Sequence, residues 1–104
     1  MRGILGSRKN TSSTYRQEMD RSNKEIKKVL KENNEQQMKY VLSVAALKAE
    51  GKDLTITTLK KLLNKAMIKE EVVLKKMRLV TLYLNSLMPK EAQRFIEKEK
   101  FERS

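Results

Sequence analysis

The chain has 104 residues, with 24 Lys plus Arg against 13 Asp plus Glu and a net charge of +11 at pH 7. That length holds one domain with a modest core, drawn mainly from Leu, Val, Ile and Met. Cys, His and Trp are all absent, which excludes thiol nucleophiles, disulfides, Cys/His zinc centres and histidine bases.

The charge is distributed along the chain. Residues 1–40 carry net +5, residues 41–70 net +3 and residues 71–104 net +3. An excess of this size attracts nucleic acid, an anionic membrane or an acidic protein. Apolar runs are too short to span a membrane. The start, Met1 to Lys9, is basic but lacks the apolar stretch of a secretory signal. Lack of Cys fits a reducing compartment. The expected location is therefore intracellular (cytoplasmic, nuclear or virion-internal) rather than secreted.

Only three Gly and one Pro punctuate the sequence, a composition that predicts an all-α fold. Residues 1–13 are small, polar and basic without a period, and are expected to form a flexible basic arm carrying Arg2, Arg8 and Lys9. Residues 14–104 are expected to form a single all-α domain. Within it, residues 22–50 read as one long amphipathic helix, opened by a capping box at Ser22–Glu25. Ile26, Val29, Leu30, Tyr40, Val41, Val44 and Leu47 share one face, with Asn33 and Gln37 inside that stripe. The opposite face holds Lys24, Lys27, Lys28, Lys31 and Glu35. At 1.5 Å per residue such a helix reaches about 44 Å and would protrude from a domain this small.

Gly51 is the expected C-cap, and Asp53 or Thr55 the next N-cap. A second helix is predicted over 57–67, with Leu59, Leu62, Leu63 and Ala66 inward and Lys60, Lys61 and Lys65 outward. A third, over 69–87, is the most apolar segment, so it is expected to lie at the centre. Its stretch from Arg78 to Asn85 also alternates as a strand does, but no second strand is evident to pair with it. Pro89 sits at the start of a fourth helix over 90–102, with Ala92, Phe95 and Ile96 inward. The expected architecture is a small domain of about four helices with a long, protruding first helix.

Catalytic chemistry finds no footing. Glu70/Glu71 and Glu97/Glu99 are close in sequence but not on one helical face. No glycine-rich phosphate loop exists, and no His can activate a Ser or Thr. The expectation is a non-enzymatic protein with no cofactor and no metal.

The cations are better arranged. Lys24, Lys27, Lys28 and Lys31 put four ammonium groups on one side of two helical turns, a geometry that can follow a phosphate backbone. Residues 54–78 carry part of a helix-turn-helix pattern, with Lys75, Lys76 and Arg78 on its second helix. Glu70 and Glu71 at the start of that helix oppose the reading. The candidate nucleic-acid contacts are thus Arg2, Arg8, Lys9, Lys24, Lys27, Lys28, Lys31, Lys60, Lys61, Lys65, Lys75, Lys76 and Arg78. Five Tyr and Phe residues are too few and too scattered for a base-stacking platform. Asn33 and Gln37 in an apolar stripe could set the register of a homodimer through the first helix, with Ile26, Val29 and Leu30 meeting their counterparts.

Met38-Lys39-Tyr40, Ala45-Ala46-Leu47, Gly51-Lys52-Asp53-Leu54-Thr55 and Leu62-Leu63-Asn64-Lys65-Ala66 give residues 38–88 a pattern that resembles the acidic stalk proteins of archaeal and eukaryotic large ribosomal subunits. The resemblance implies a helical dimerisation region. The sequence departs from that family in its basic residues 1–37 and in having no Ala-rich linker or acidic tail.

The sequence therefore points first to a small basic protein that binds DNA or RNA through Lys and Arg on helices, in an architectural or regulatory role. The alternative is a helical adaptor that docks an acidic protein surface. A membrane-surface binder ranks third, because the amphipathic helix lacks bulky interfacial aromatics.

Overall fold

The computed structural model describes residues 2–103, with side chains from 16 to 102. The fold is all-α, with no strand among the described residues. Five helices follow in chain order: α1 (Arg2–Glu32), α2 (Glu35–Ala49), α3 (Ile56–Lys65), α4 (Glu71–Asn85) and α5 (Pro89–Arg103). The stretch from Arg78 to Asn85 is the second half of α4, so its alternation is incidental to the helical period.

The expected helix over 22–50 is two helices, and the break lies at the two asparagines. Asn33 takes φ 53°, a left-handed conformation that asparagine enters more easily than most residues. Asn34 is the N-cap of α2, its side chain accepting from the Gln37 N–H at 3.1 Å. Upstream, the helix does not start at Ser22. Residues 2–13, expected as an arm, belong to α1 as backbone, and their side chains lie outside the described residues. Ser22 sits mid-helix, fully buried, and its hydroxyl donates to the Met19 carbonyl at 2.8 Å.

The remaining ends follow local chemistry. After α2, Gly51 at φ 78° lets its N–H reach the Lys48 carbonyl while the Lys52 N–H reaches that of Leu47, a Schellman closure. Thr55 caps α3 through the Thr58 N–H at 3.2 Å. α3 ends in a second Schellman closure, but with Met67 rather than glycine at the left-handed position, φ 59°. Pro89 is the first residue of α5, and the Glu91 carboxylate accepts from the Met88 N–H at 2.8 Å.

α1 packs mainly along α4, and α5 packs on α2. The element touching all the others is α2, so the centre is α2 rather than α4, the helix expected there. The two meet over Val41, Val44, Met77, Val80 and Leu84, none of which reaches solvent. Burying a side chain of that kind stabilises by about 1.5–3 kcal/mol. Tyr40 is buried at the same seam. Thr81 donates to the Met77 carbonyl at 2.7 Å, so its one hydroxyl proton is used and the Tyr40 hydroxyl donates to Thr81. Burial raises the Tyr40 pKa above its ordinary value. Gln37 is buried as well, and its Oε1 has no hydrogen-bond partner among the described residues.

Ile26 and Val29, expected to meet their counterparts across a dimer, are buried within the chain on the side of α1 that packs on α4 and α2. Val29 has no exposed surface. α3 differs from the other helices: it rests mainly on α2 and contains no fully buried residue.

Candidate nucleic-acid interface

The outer face of α1 follows from its inner one. Ser22, Ile26 and Val29 face the core. Residues half a helical turn away must face solvent, and Lys24, Lys27, Lys28 and Lys31 occupy those positions, all exposed. None of the four forms an ion pair with a described residue. From Lys24 to Lys31 the helix rises about 10 Å, a length over which duplex DNA presents several phosphates. Arg21, one turn before Lys24, is exposed and extends the row.

Acidic residues nearby weaken this field less than their number suggests. Glu32 turns toward α4 and holds the Lys76 ammonium at 3.1 Å. The pair is about a third exposed on each side, and ties the last turn of α1 to the middle of α4. Lys76 therefore fastens two helices together. Lys75 stands 3.9 Å from Glu71 across one turn of α4, with both side chains mostly exposed, a contact of small energetic weight.

Other candidates lie elsewhere. Lys60, Lys61 and Lys65 are exposed on α3. Arg78 is exposed on α4 and borders an open groove of about 1070 Å³. Lys60 borders the same groove, joined by Arg21 and Lys69. Arg2, Arg8 and Lys9 lie outside the residues whose side chains are described. The fold thus brings Arg21, Lys60, Lys69 and Arg78 to one opening, while the α1 lysines form a separate face. Sequence reasoning missed Arg21 and Lys69. Arg21 was open to discovery, because it continues the α1 row at helical spacing. Lys69 was not, because only the turn after α3 carries it to the groove.

Glu70 and Glu71 are both exposed at the start of α4, so the end of the would-be recognition helix presents carboxylates. Among the described residues no group of three or more acidic side chains could hold a metal ion. No helix is long and apolar enough to cross a membrane among those residues.

No family model, curated protein or solved structure matches this chain. The likeness of residues 38–88 to ribosomal stalk proteins accordingly carries no argument, and the functional reading rests on the chain's own geometry.

Proposed function

We propose that this is a non-enzymatic nucleic-acid-binding protein whose outer α1 face contacts the phosphate backbone, in an architectural or regulatory role. The observation that carries the reading is the row Lys24, Lys27, Lys28 and Lys31, exposed and without a carboxylate partner among the described residues. A face built of lysine suits phosphate better than protein, since lysine is depleted from protein–protein interfaces. Membrane insertion fits it less well, because the apolar side of α1 is already occupied by the core. The partner implies action inside a cell or a virion. The lysine row points to contact with the backbone rather than the bases, and the exposed Glu70 and Glu71 at the start of α4 disfavour that helix as a base reader.

The test is a fluorescence titration of labelled duplex DNA and structured RNA at two salt concentrations. Each phosphate contact adds about 0.9 to the log–log salt slope for duplex DNA. Replacing Lys24, Lys27, Lys28 and Lys31 with Gln keeps helix propensity and should lower that slope by up to about 3.6. An unchanged slope, or no binding at low salt by the unmodified protein, rejects the reading.

A further inference from the structure

The groove bordered by Lys60 and Arg78 is a different kind of surface from the α1 face. Its floor is apolar. Leu59 and Leu63 of α3 and Leu74, Leu79 and Leu82 of α4 line it, all only half-buried. Ile56, at the start of α3 and on the groove edge, is 73% exposed. These are large aliphatic side chains gathered on one concave surface, and the fold leaves that surface open because α3 rests on α2 while α4 packs on α1 and α2. A continuous apolar surface of this kind marks an interaction site.

The rim selects the partner. Arg21, Lys60, Lys69 and Arg78 surround the floor, with Glu18 as the one carboxylate among the lining residues. A net positive rim over an aliphatic floor is complementary to an amphipathic segment with aliphatic anchors and flanking carboxylates. Its volume, about 1070 Å³, reaches the upper end of the roughly 300–1,000 Å³ typical of small-molecule pockets. α3 forms one wall and, at ten residues, is about 15 Å long, which matches two to three turns of a docked helix. A second copy of the chain would bring another +11 charge to the same opening. The chain's own first fifteen residues contain Arg2, Arg8 and Lys9 with no Asp or Glu, so they too have the wrong sign.

We propose that this groove docks an acidic amphipathic helix of another protein, with aliphatic anchors at i, i+3, i+4 and i+7 on the floor and carboxylates against Lys60, Lys69 and Arg78. The proposal is independent of the nucleic-acid reading, which rests on Lys24, Lys27, Lys28 and Lys31 of α1: none of those four lines the groove, and Arg21 alone adjoins both surfaces. Together the two surfaces would let one small protein hold a backbone polyanion and a protein at once.

The probe is a fluorescein-labelled acidic peptide of about 18 residues with leucines at that spacing, titrated into the full chain at about 0.15 M salt. Its control is a peptide of identical composition with the leucine spacing scrambled. The patterned peptide should bind at least about tenfold more tightly than the control. Lys60→Glu/Arg78→Glu, at two exposed positions, should weaken it by about tenfold or more and favour a peptide carrying Lys in place of Glu. In the unmodified protein, methyl resonances of Leu59, Leu63, Leu74 and Leu82 should shift on titration, a readout that needs no variant. Replacing Lys24, Lys27, Lys28 and Lys31 with Gln should leave peptide binding unchanged, which separates this proposal from the previous one. Equal binding of both peptides overturns it, since charge alone would explain the affinity. Displacement of the peptide by duplex DNA also overturns it, as does a self-associated protein that Lys60→Glu/Arg78→Glu returns to monomer.

Discussion

The two sides of α4 were built from the same kinds of residue and ended in different environments. Toward α2 and α1, Met77, Val80 and Leu84 are sealed with no solvent exposure. Around the helix, Leu74 and Leu82 line the open groove and are half-buried. The difference shows that an apolar helix need not be central. Val72, Val73, Leu74, Met77, Leu79, Val80, Leu82, Tyr83 and Leu84 spread the apolar surface of α4 wider than one core-facing stripe needs, beside an exposed side with Glu71, Lys75 and Arg78. Here the surplus apolar surface lies where α3 does not cover it.

The sharpest way to break that comparison is to place a carboxylate on each side. Val80→Asp or Leu84→Asp buries a charge without a partner, at a cost of several kcal/mol, against a total stability of about 5–15 kcal/mol. These variants are expected to lose cooperative unfolding by circular dichroism. Leu82→Asp can turn its carboxylate toward the groove and the Arg78 side, so it should still fold, with a smaller loss of melting temperature. Equal losses at positions 80 and 82 would show that the groove is closed in solution.

Tyr40 and Thr81 mark the boundary between the two sides, since both line the groove while their hydroxyls join α2 to α4. Tyr40→Phe should cost about 1 kcal/mol at neutral pH, the ordinary worth of one hydrogen bond. The pH dependence has a definite sign. Burial raises the folded-state pKa of Tyr40, whereas the unfolded chain titrates near 10. The folded state therefore holds the phenol proton more tightly. Its contribution is complete below about pH 10 and is lost as pH rises through the folded value. The stability gap between the unmodified protein and Tyr40→Phe should thus be constant up to about pH 9 and narrow above 10. Urea melts at four pH values would show it, and a gap that widens with pH would contradict a buried, neutral Tyr40.

How much of this was legible beforehand depended on whether a feature was local. Gly51, Thr55, Pro89 and the inward Ala92 and Ile96 were all readable, because capping and helical period involve residues a few positions apart. The all-α class followed in the same way. The Asn33-Asn34 break was also local, and an asparagine pair followed by Glu35 is a stop-and-restart signal. It was hidden because the apolar phase runs through it, and the amides then read as polar members of one stripe. The centrality of α2 and the clustering of Arg21, Lys60, Lys69 and Arg78 could not be read at all. They depend on which helices pack together, and Arg21 and Lys69 are brought together only by the fold. On the α1 face the helical spacing of the lysines was legible, but their solvent exposure required knowing that α4 covers the other side.

Gln37 offers a smaller test on the sealed side. Its Oε1 is buried without a partner among the described residues, which ordinarily costs about 1–3 kcal/mol. Gln37→Met keeps the length and the helix propensity while removing that atom. It should raise stability by about 1 kcal/mol in urea denaturation, and a loss instead would mean that the amide is satisfied by an internal water.

The smallest expected effect compares the two Schellman turns, one feeding each end of α3. Gly51 and Met67 hold the same left-handed position at φ 78° and 59°. A residue with a Cβ pays about 1–2 kcal/mol there, and glycine does not. At Gly51 an added Cβ would meet nothing within 4 Å, so Gly51→Ala isolates the backbone term and should destabilise by about 1 kcal/mol. At Met67 the strain is already present, and the side chain is 67% exposed, so little packing is lost on removing it. Met67→Gly relieves that strain but gives the unfolded chain about 0.4–1 kcal/mol more entropy. The net gain should be about 0.5–1 kcal/mol, or a melting temperature higher by roughly 2–8 °C. The gain should come with no change in peptide binding, because Met67 does not line the groove. A stabilised Met67→Gly with weakened peptide binding would mean that the methionine, through the loop from α3 to α4, helps hold the groove open.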